Sequence, residues 1–177
     1  MDFMRALVVY ESMFGNTRRI AEAIADGIGS DVVTCAVAFV SAKDLDVDLV
    51  VVGGPTHVHS LSRLSTRRAA AEKTEHGDRH LDANAQVTTG IREWLEVNAL
   101  AGKKVAAFDT RMEGPALFTG RASKGISRRL RHAGAIVVAP PMSFLVTKLD
   151  ELVNGELDRA TEFGKLLAEQ FSLQPSR

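Results

Sequence analysis

The sequence is poor in the residues and segments that disulfide, iron–sulfur and membrane chemistry require. Its 177 residues include a single cysteine, Cys35, which excludes an internal disulfide and leaves too few thiolates for an iron–sulfur cluster. Its 22 basic residues are matched by 22 acidic ones, so the basic excess of a generic nucleic-acid binder is missing. No apolar run reaches membrane-spanning length, and no signal peptide precedes the first predicted strand. We therefore expect a cytoplasmic protein with no nucleic-acid partner and no membrane span.

Two common phosphate-binding motifs are also absent. The triphosphate loop G-x-x-x-x-G-K does not occur, and the dinucleotide pattern G-x-G-x-x-G does not follow the first apolar run. The nucleophile pattern G-x-S-x-G is missing around Ser12, which argues against a hydrolase. We accordingly predict no catalytic side chain from motifs alone.

Apolar segments alternate with helical patterns along most of the chain. Strands are predicted over residues 5–10, 32–40, 48–53, 103–108 and 135–139, and helices over 16–28, 90–97, 123–133 and 154–171. Pro140 and Pro141 break the fifth strand, and residues 144–146 are its candidate continuation. This alternation predicts an α/β fold with a five-stranded parallel sheet and helices on both faces. Without the dinucleotide pattern, the expected strand order is 2-1-3-4-5. We expect a single domain over residues 1–177.

Residues 57–89 interrupt the alternation. They are polar, weakly periodic and too numerous for an ordinary strand-to-helix loop, although part of them, residues 66–73, is compatible with a helix. His76 and His80 have the i,i+4 spacing of a metal-binding pair, but Gly77 weakens a helix there and no third ligand is placed nearby. We predict no metal site and interpret this long insertion as an active-site lid or a partner-docking surface.

The stretch over residues 6–20 predicts an anion site. An apolar strand ends in a short loop of small and hydroxyl-bearing residues, and a helix starts immediately afterwards. Backbone N–H groups and the positive end of a helix dipole then point to one place, which favours an anion such as phosphate. Ordinary capping of the helix by Ser12 or Asn16 is the alternative. In a sheet of order 2-1-3-4-5, residues 12–17, 55–59 and 109–111 should converge at the ligand crevice.

The segment Y-E-S-M-F-G-N-T over residues 10–17 resembles the phosphate loop of the flavodoxin family. G-G-P-T over 53–56 and F-D-T-R over 108–111 support the resemblance. The family binds flavin mononucleotide (FMN) non-covalently. The resemblance implies that the phosphate is held by Ser12, Met13, Phe14, Gly15, Asn16 and Thr17. It implies that the flavin ring is bordered on one side by Pro55, Thr56, His57, Val58 and His59, and on the other by Asp109, Thr110 and Arg111.

Two departures from the family leave the function open. Flavodoxins often hold the ring between a tryptophan and a tyrosine, but the only candidates here, Trp94 and Tyr10, are predicted to lie in the core. Electron-carrier flavodoxins are acidic, whereas this chain has zero formal net charge. The resemblance implies electron transfer through FMN to a redox partner protein or a small electron acceptor. The alternatives are an FMN-dependent oxidoreductase of quinone or porphyrinogen type, with residues 57–89 over the substrate, and a less favoured interaction module without flavin.

Overall fold

A computed structural model describes residues 4–29, 31–57, 60–75 and 80–172. The strands are β1 (Ala6–Tyr10), β2 (Val32–Ala36), β3 (Leu49–His57), β4 (Ser60–Leu61), β5 (Lys104–Met112), β6 (Ile136–Val137) and β7 (Met142–Val146). The helices are α1 (Asn16–Ile28), α2 (Leu64–Glu75), α3 (Ile91–Val97), α4 (Ala116–Thr119), α5 (Ala122–His132) and α6 (Glu156–Ser172).

The main sheet is parallel, with β2, β1, β3 and β5 side by side in that order. Both β6 and β7 pair with the remaining edge of β5, β6 near its start and β7 along its second half. The two therefore act as one fifth strand, interrupted at Pro140 and Pro141, which cannot donate ladder hydrogen bonds. The predicted flavodoxin-like sheet of order 2-1-3-4-5 is confirmed, and β4 adds a short antiparallel strand to the end of β3.

Helices cover both faces because alternate residues of each buried strand point in opposite directions. On one face, Val8 of β1 packs in a core cluster with Ile24 of α1 and Phe163 of α6. On the other face, Val9 packs in a second cluster with Ile126 of α5 and with residues of α3. The central strands are apolar along their whole length for this reason, and their carboxyl ends all meet at one edge of the sheet.

Several predicted strand ends were wrong. Strand β2 ends at Ala36, and residues 37–39 form a turn of 3₁₀-helix instead of more strand. Strand β3 continues through Gly53 to His57. Gly53 is needed for packing, because a Cβ placed on it would lie 2.1 Å from the Phe108 ring. This glycine makes room for an aromatic side chain on the neighbouring strand and does not end its own.

The long insertion contains β4 and α2, and a buried arginine joins it to the sheet. Arg67 of α2 has no solvent exposure. Its Nη1 donates to Ser62 Oγ at 2.9 Å and its Nη2 to Glu93 Oε2 at 3.0 Å. Its Nε donates to the Val87 carbonyl at 2.7 Å. One side chain therefore holds together the end of β4, the start of α3 and the segment that returns to α3.

The same network reaches the end of β1 through Glu11, which is 3% exposed. Its two carboxylate oxygens accept hydrogen bonds from Ser62 Oγ and from the Ile91 amide. Burial raises the pKa of Glu11, while those two hydrogen bonds act in the opposite direction. Since Ser12 follows directly, the insertion fixes the point where β1 gives way to the predicted phosphate loop.

Within the part of the chain that the structure describes, no helix is both long and apolar enough to cross a bilayer. The cytoplasmic location expected from the sequence stays a prediction.

Candidate functional site

A cleft opens at the carboxyl edge of the sheet, between the ends of β1, β3, β5 and β7. It is lined by Ser12, Met13, Phe14, Asn16, Thr17, Pro55, Thr56, His57, Thr110, Arg111, Met112, Val146, Thr147 and Asp150. The three segments expected to converge are thus brought together. A fourth, over residues 146–150, joins them from the loop between β7 and α6.

The first wall of the cleft is the loop from β1 into α1. Gly15 is the residue before the helix, with a φ of 95°, a left-handed conformation that glycine adopts without strain. Among the described residues, no side chain caps the helix at Gly15. Ser12 Oγ instead accepts from the Gly15 amide at 3.1 Å, one position before α1 begins. The helix therefore lacks the usual side-chain acceptor for its first N–H groups, and these lie beside the cleft.

The side chains of the first helical turn are also directed to the cleft walls. Thr17 Oγ1 lies 2.7 Å from Thr110 Oγ1, and both residues are buried. Asn16 Nδ2 donates to the Asp150 carbonyl at 2.7 Å, which ties α1 to the loop after β7. Capping by Asn16, considered from the sequence, is therefore excluded by the direction of its side chain.

The return segment of the insertion supports this loop from behind. The Asp82 amide donates to the Met13 carbonyl at 2.7 Å, and its buried carboxylate accepts from Arg18 Nε at 2.7 Å. A Cβ placed on Gly15 would lie 3.3 Å from Asp82 Oδ2, so the two segments are in contact. Part of residues 57–89 therefore supports the β1–α1 loop, in addition to any surface that faces a partner.

The second wall ends in His57, whose Nε2 is buried and has no hydrogen-bond partner among the described residues. Burial lowers the pKa of His57, and the Arg67 charge lowers it further. The neutral form of the imidazole is consequently favoured, and its Nε2 is a polar atom without a partner among the described residues. Val58 and His59, the other residues predicted on this wall, lie outside the described residues.

The third wall is made by Thr110 and Arg111 but not by Asp109. The Asp109 carboxylate is fully buried and accepts from the Ser123 amide at 2.6 Å, at the start of α5. It is not among the cleft-lining residues, so its predicted place beside a ring has no geometric support. Arg111 Nη1 donates to the Gly114 carbonyl and to Thr119 Oγ1, each at 2.8 Å, while its Nε is buried without a partner among the described residues.

No tryptophan or tyrosine is among the residues that line the cleft. Trp94 is 3% exposed within the second core cluster. Tyr10 is 5% exposed, and its hydroxyl accepts from Asn84 Nδ2 at 3.3 Å. The prediction that both belong to the core is confirmed. Phe14 and His57 are the ring-bearing residues that the cleft offers instead.

Sequence reasoning missed the fourth wall, residues 146–150, together with Met112. The signal was available, because the loop after the last parallel strand also lies at the carboxyl edge of the sheet. It was missed because only the ends of the first, third and fourth strands were assigned to the cleft, although residues 144–146 were a candidate continuation of the fifth strand. The described residues contain no group of metal-ligating side chains, and the His76–His80 pair is untested because His76 is outside them.

The comparisons with known proteins agree with this geometry. A family model described as Flavodoxin matches residues 8–164. The chain belongs to the flavodoxin family. Membership supports the prediction of a flavodoxin-like, FMN-binding redox protein. A comparison with curated sequences finds no match.

Solved flavodoxin structures align over nearly the whole chain. A flavodoxin from the domain Archaea is 25% identical with a TM-score of 0.66, over 96% of this chain and 99% of that one. Flavodoxin 2 from Bacillus cereus is also 25% identical, with a TM-score of 0.60 over 96% and 98%. A flavodoxin, WrbA-like protein from Agrobacterium tumefaciens is 18% identical, with a TM-score of 0.62 over 97% and 99%. At 18% identity, this third similarity shows a shared fold and nothing more.

Proposed function

We propose that the protein binds FMN non-covalently in the cleft and transfers electrons to a redox partner protein or a small electron acceptor. The observation that carries this proposal is the α1 N-terminus, which opens beside the cleft behind a left-handed glycine and has no side-chain cap. An uncapped helix N-terminus that follows a buried strand suits a phosphate group.

The residues around the cleft fit such a cofactor. Ser12, Thr17 and the backbone of the β1–α1 loop supply hydroxyl and N–H donors for a phosphate. His57 Nε2 and Arg111 Nε are buried polar atoms that have no partner among the described residues, and they lie on the two walls where a ring would lie. Buried polar atoms usually find partners, so orphans that border a cleft indicate a missing ligand. When bound, FMN supplies the redox chemistry, while the chain supplies binding, orientation and electrostatics.

An FMN-dependent oxidoreductase of quinone or porphyrinogen type is the second candidate. The observation that favours it is the lack of tryptophan and tyrosine among the cleft-lining residues. If neither Phe14 nor His57 stacks on the ring, one face would be left accessible to a small substrate.

Two titrations test the proposal, one with FMN and one with riboflavin. In each, the quenching of flavin fluorescence is used to measure binding. We expect FMN to bind at one site per chain and riboflavin to bind at least tenfold more weakly, since each lost charged hydrogen bond costs about 1.5–3 kcal/mol. Equal affinity would mean that the phosphate contributes nothing. Failure of both flavins to bind would refute the proposal and revive the interaction module without flavin.

Turnover separates the carrier from the oxidoreductase. The FMN-loaded protein is mixed with reduced nicotinamide and a small quinone, with and without a separate flavoprotein reductase. A carrier should reduce the acceptor only when the reductase is present. Rapid turnover without the reductase would favour the oxidoreductase.

A further inference from the structure

The segment over residues 112–121 contributes residues to both the cofactor cleft and a second groove. Met112 lines the cleft. The groove is lined by Ser60 of β4, by Leu117 of α4, and by Arg121, Lys124 and Arg128 in and before α5. A molecule seated in this groove would thus contact the same segment that reaches the cleft at Met112.

The groove belongs to a cationic surface. Lys124 and Arg128 are exposed, and Arg121 is held above the sheet by Ser143 Oγ at 3.1 Å. Arg92 and Arg129 continue the surface toward β4, where Arg92 Nη2 donates to the Leu61 carbonyl at 3.1 Å. Burial lowers the pKa of Arg92, and the charges of Arg129 and Arg63 lower it further, so these cations are close enough to repel one another.

The cations of the groove itself, Arg121, Lys124 and Arg128, are not held in ion pairs among the described residues, whereas Glu93 and Glu96 lie close enough to Arg92 to act on its charge. Among the described residues, no carboxylate forms an ion pair within 4.0 Å with Arg92, Arg121, Lys124, Arg128 or Arg129. Glu113 is the acidic residue within residues 112–121, so the cations of the groove outnumber the carboxylates of this segment. A concentrated unpaired charge of one sign steers a partner of the opposite sign.

Apolar side chains stand beside these cations. Leu117 is 84% exposed and Phe118 is 70% exposed, both on the short helix α4, and Met112 at the cleft is 52% exposed. Adjacent exposed apolar residues with a charged border are the composition expected of a protein–protein contact, with the charges setting orientation and encounter rate. A small anion would use the cations but would gain nothing from Leu117 and Phe118.

We propose that the groove and helix α4 form a docking surface for a redox partner protein whose own contact surface is acidic. The inference rests on the proposed function, because it supplies the protein to which the cleft passes electrons. Docking there brings the partner against residues 112–121, of which Met112 lines the cofactor cleft. The cationic surface and the apolar helix then serve one purpose, which is to orient an acidic protein over the cleft.

Binding of two probe proteins tests the surface directly. The probes are an acidic soluble b-type cytochrome domain and a basic c-type cytochrome, titrated by calorimetry at low and high salt into the chain with and without FMN. We expect the acidic probe to bind more tightly, and its affinity to fall steeply as salt rises. The double variant Lys124→Glu with Arg128→Glu should weaken binding about tenfold or more.

A matched control carries the same change in net charge at the opposite end of the sheet. Lys43→Glu with Lys103→Glu alters two residues that precede β3 and β5, remote from the cleft, and should leave the affinity within about twofold because such distant charges are screened. Carbodiimide joins a lysine of one protein to a carboxylate of the other, so zero-length cross-links to the acidic probe should include Lys124 and omit Lys43 and Lys103.

The outcomes separate the two proposals. Equal loss of binding in both double variants, tighter binding of the basic probe, or tighter binding of anionic lipid vesicles or DNA than of the acidic probe would each overturn the docking surface. A chain that binds the acidic probe as expected but fails to bind FMN would refute the proposed function and leave a cationic protein-binding surface. A chain that binds FMN but neither probe would refute the docking surface alone.

Discussion

Replacement of Arg67 tests how the insertion is attached to the sheet. Arg67→Met keeps the length and apolar volume of the side chain but removes its hydrogen bonds to Ser62, Glu93 and the Val87 carbonyl. Ser62 in turn donates to Glu11, which is 3% exposed. The substitution therefore removes the positive charge next to a buried carboxyl group and leaves buried acceptors without a donor.

The size of the stability loss in Arg67→Met depends on which of the remaining polar groups water can reach. The Glu93 side chain is 40% exposed, so water can replace the guanidinium there, whereas none can reach the buried end at Glu11. We expect a loss near the lower end of the range of about 3–5 kcal/mol for breaking a buried ionic network. In a chain of this size, about 3 kcal/mol corresponds to a fall in Tm of about 6–12 °C.

Differential scanning calorimetry measures this change, and the neighbouring residue supplies the control. Arg68 is on the same helix, is exposed and makes none of these contacts, so Arg68→Met should shift Tm by about 1–2 °C or less. A change in Tm for Arg67→Met as small as the one expected of Arg68→Met would show that Arg67 does not hold the insertion to the sheet. A fall in Tm for Arg68→Met as large as that for Arg67→Met would contradict the conclusion that Arg67 is the buried arginine and Arg68 the exposed one.

Three further perturbations address the site and its supports. Thr17→Ala should weaken FMN binding by about 1–3 kcal/mol, measured by fluorescence titration, and unchanged affinity would mean that the hydroxyl does not reach the phosphate. Gly53→Ala should lower the free energy of unfolding by about 1–3 kcal/mol in urea, because the new Cβ would lie 2.1 Å from the Phe108 ring, whereas Gly54→Ala, with ordinary contacts, is the control. Since the folded-state pKa of Glu11 is raised, stability should fall as the pH rises above about 4.5, and Glu11→Gln should flatten that slope in urea titrations.

The sheet was predictable because a strand that is buried on both faces must be apolar along its whole length, and such a run is visible in the sequence. Residues 49–52 and 105–108 show this directly, and the order of the strands followed from the missing dinucleotide glycines. Their ends were less predictable. Gly53 was interpreted as the end of a strand, but its role depends on the Phe108 ring of a neighbouring strand, which no local pattern reveals.

The site was predicted where position in the sheet determines it and missed where tertiary contacts do. The place of residues 12–17 in the site was predictable because a strand, a loop and a helix follow one another in the sequence there. The attachment of the insertion did not, since Arg67 and Asp82 were two polar residues among many in a weakly periodic segment. Their burial depends on partners such as Glu11 and Arg18, more than fifty positions away in the chain.

The most direct test of the central claim is a backbone amide NMR titration of the protein with FMN and, separately, with riboflavin. The account predicts that the amides of residues 13–17 show the largest chemical-shift changes with FMN and clearly smaller ones with riboflavin, because only FMN presents a phosphate to the uncapped start of α1. Equal shifts of these amides with both flavins would contradict it, as would shifts confined to the groove near Lys124.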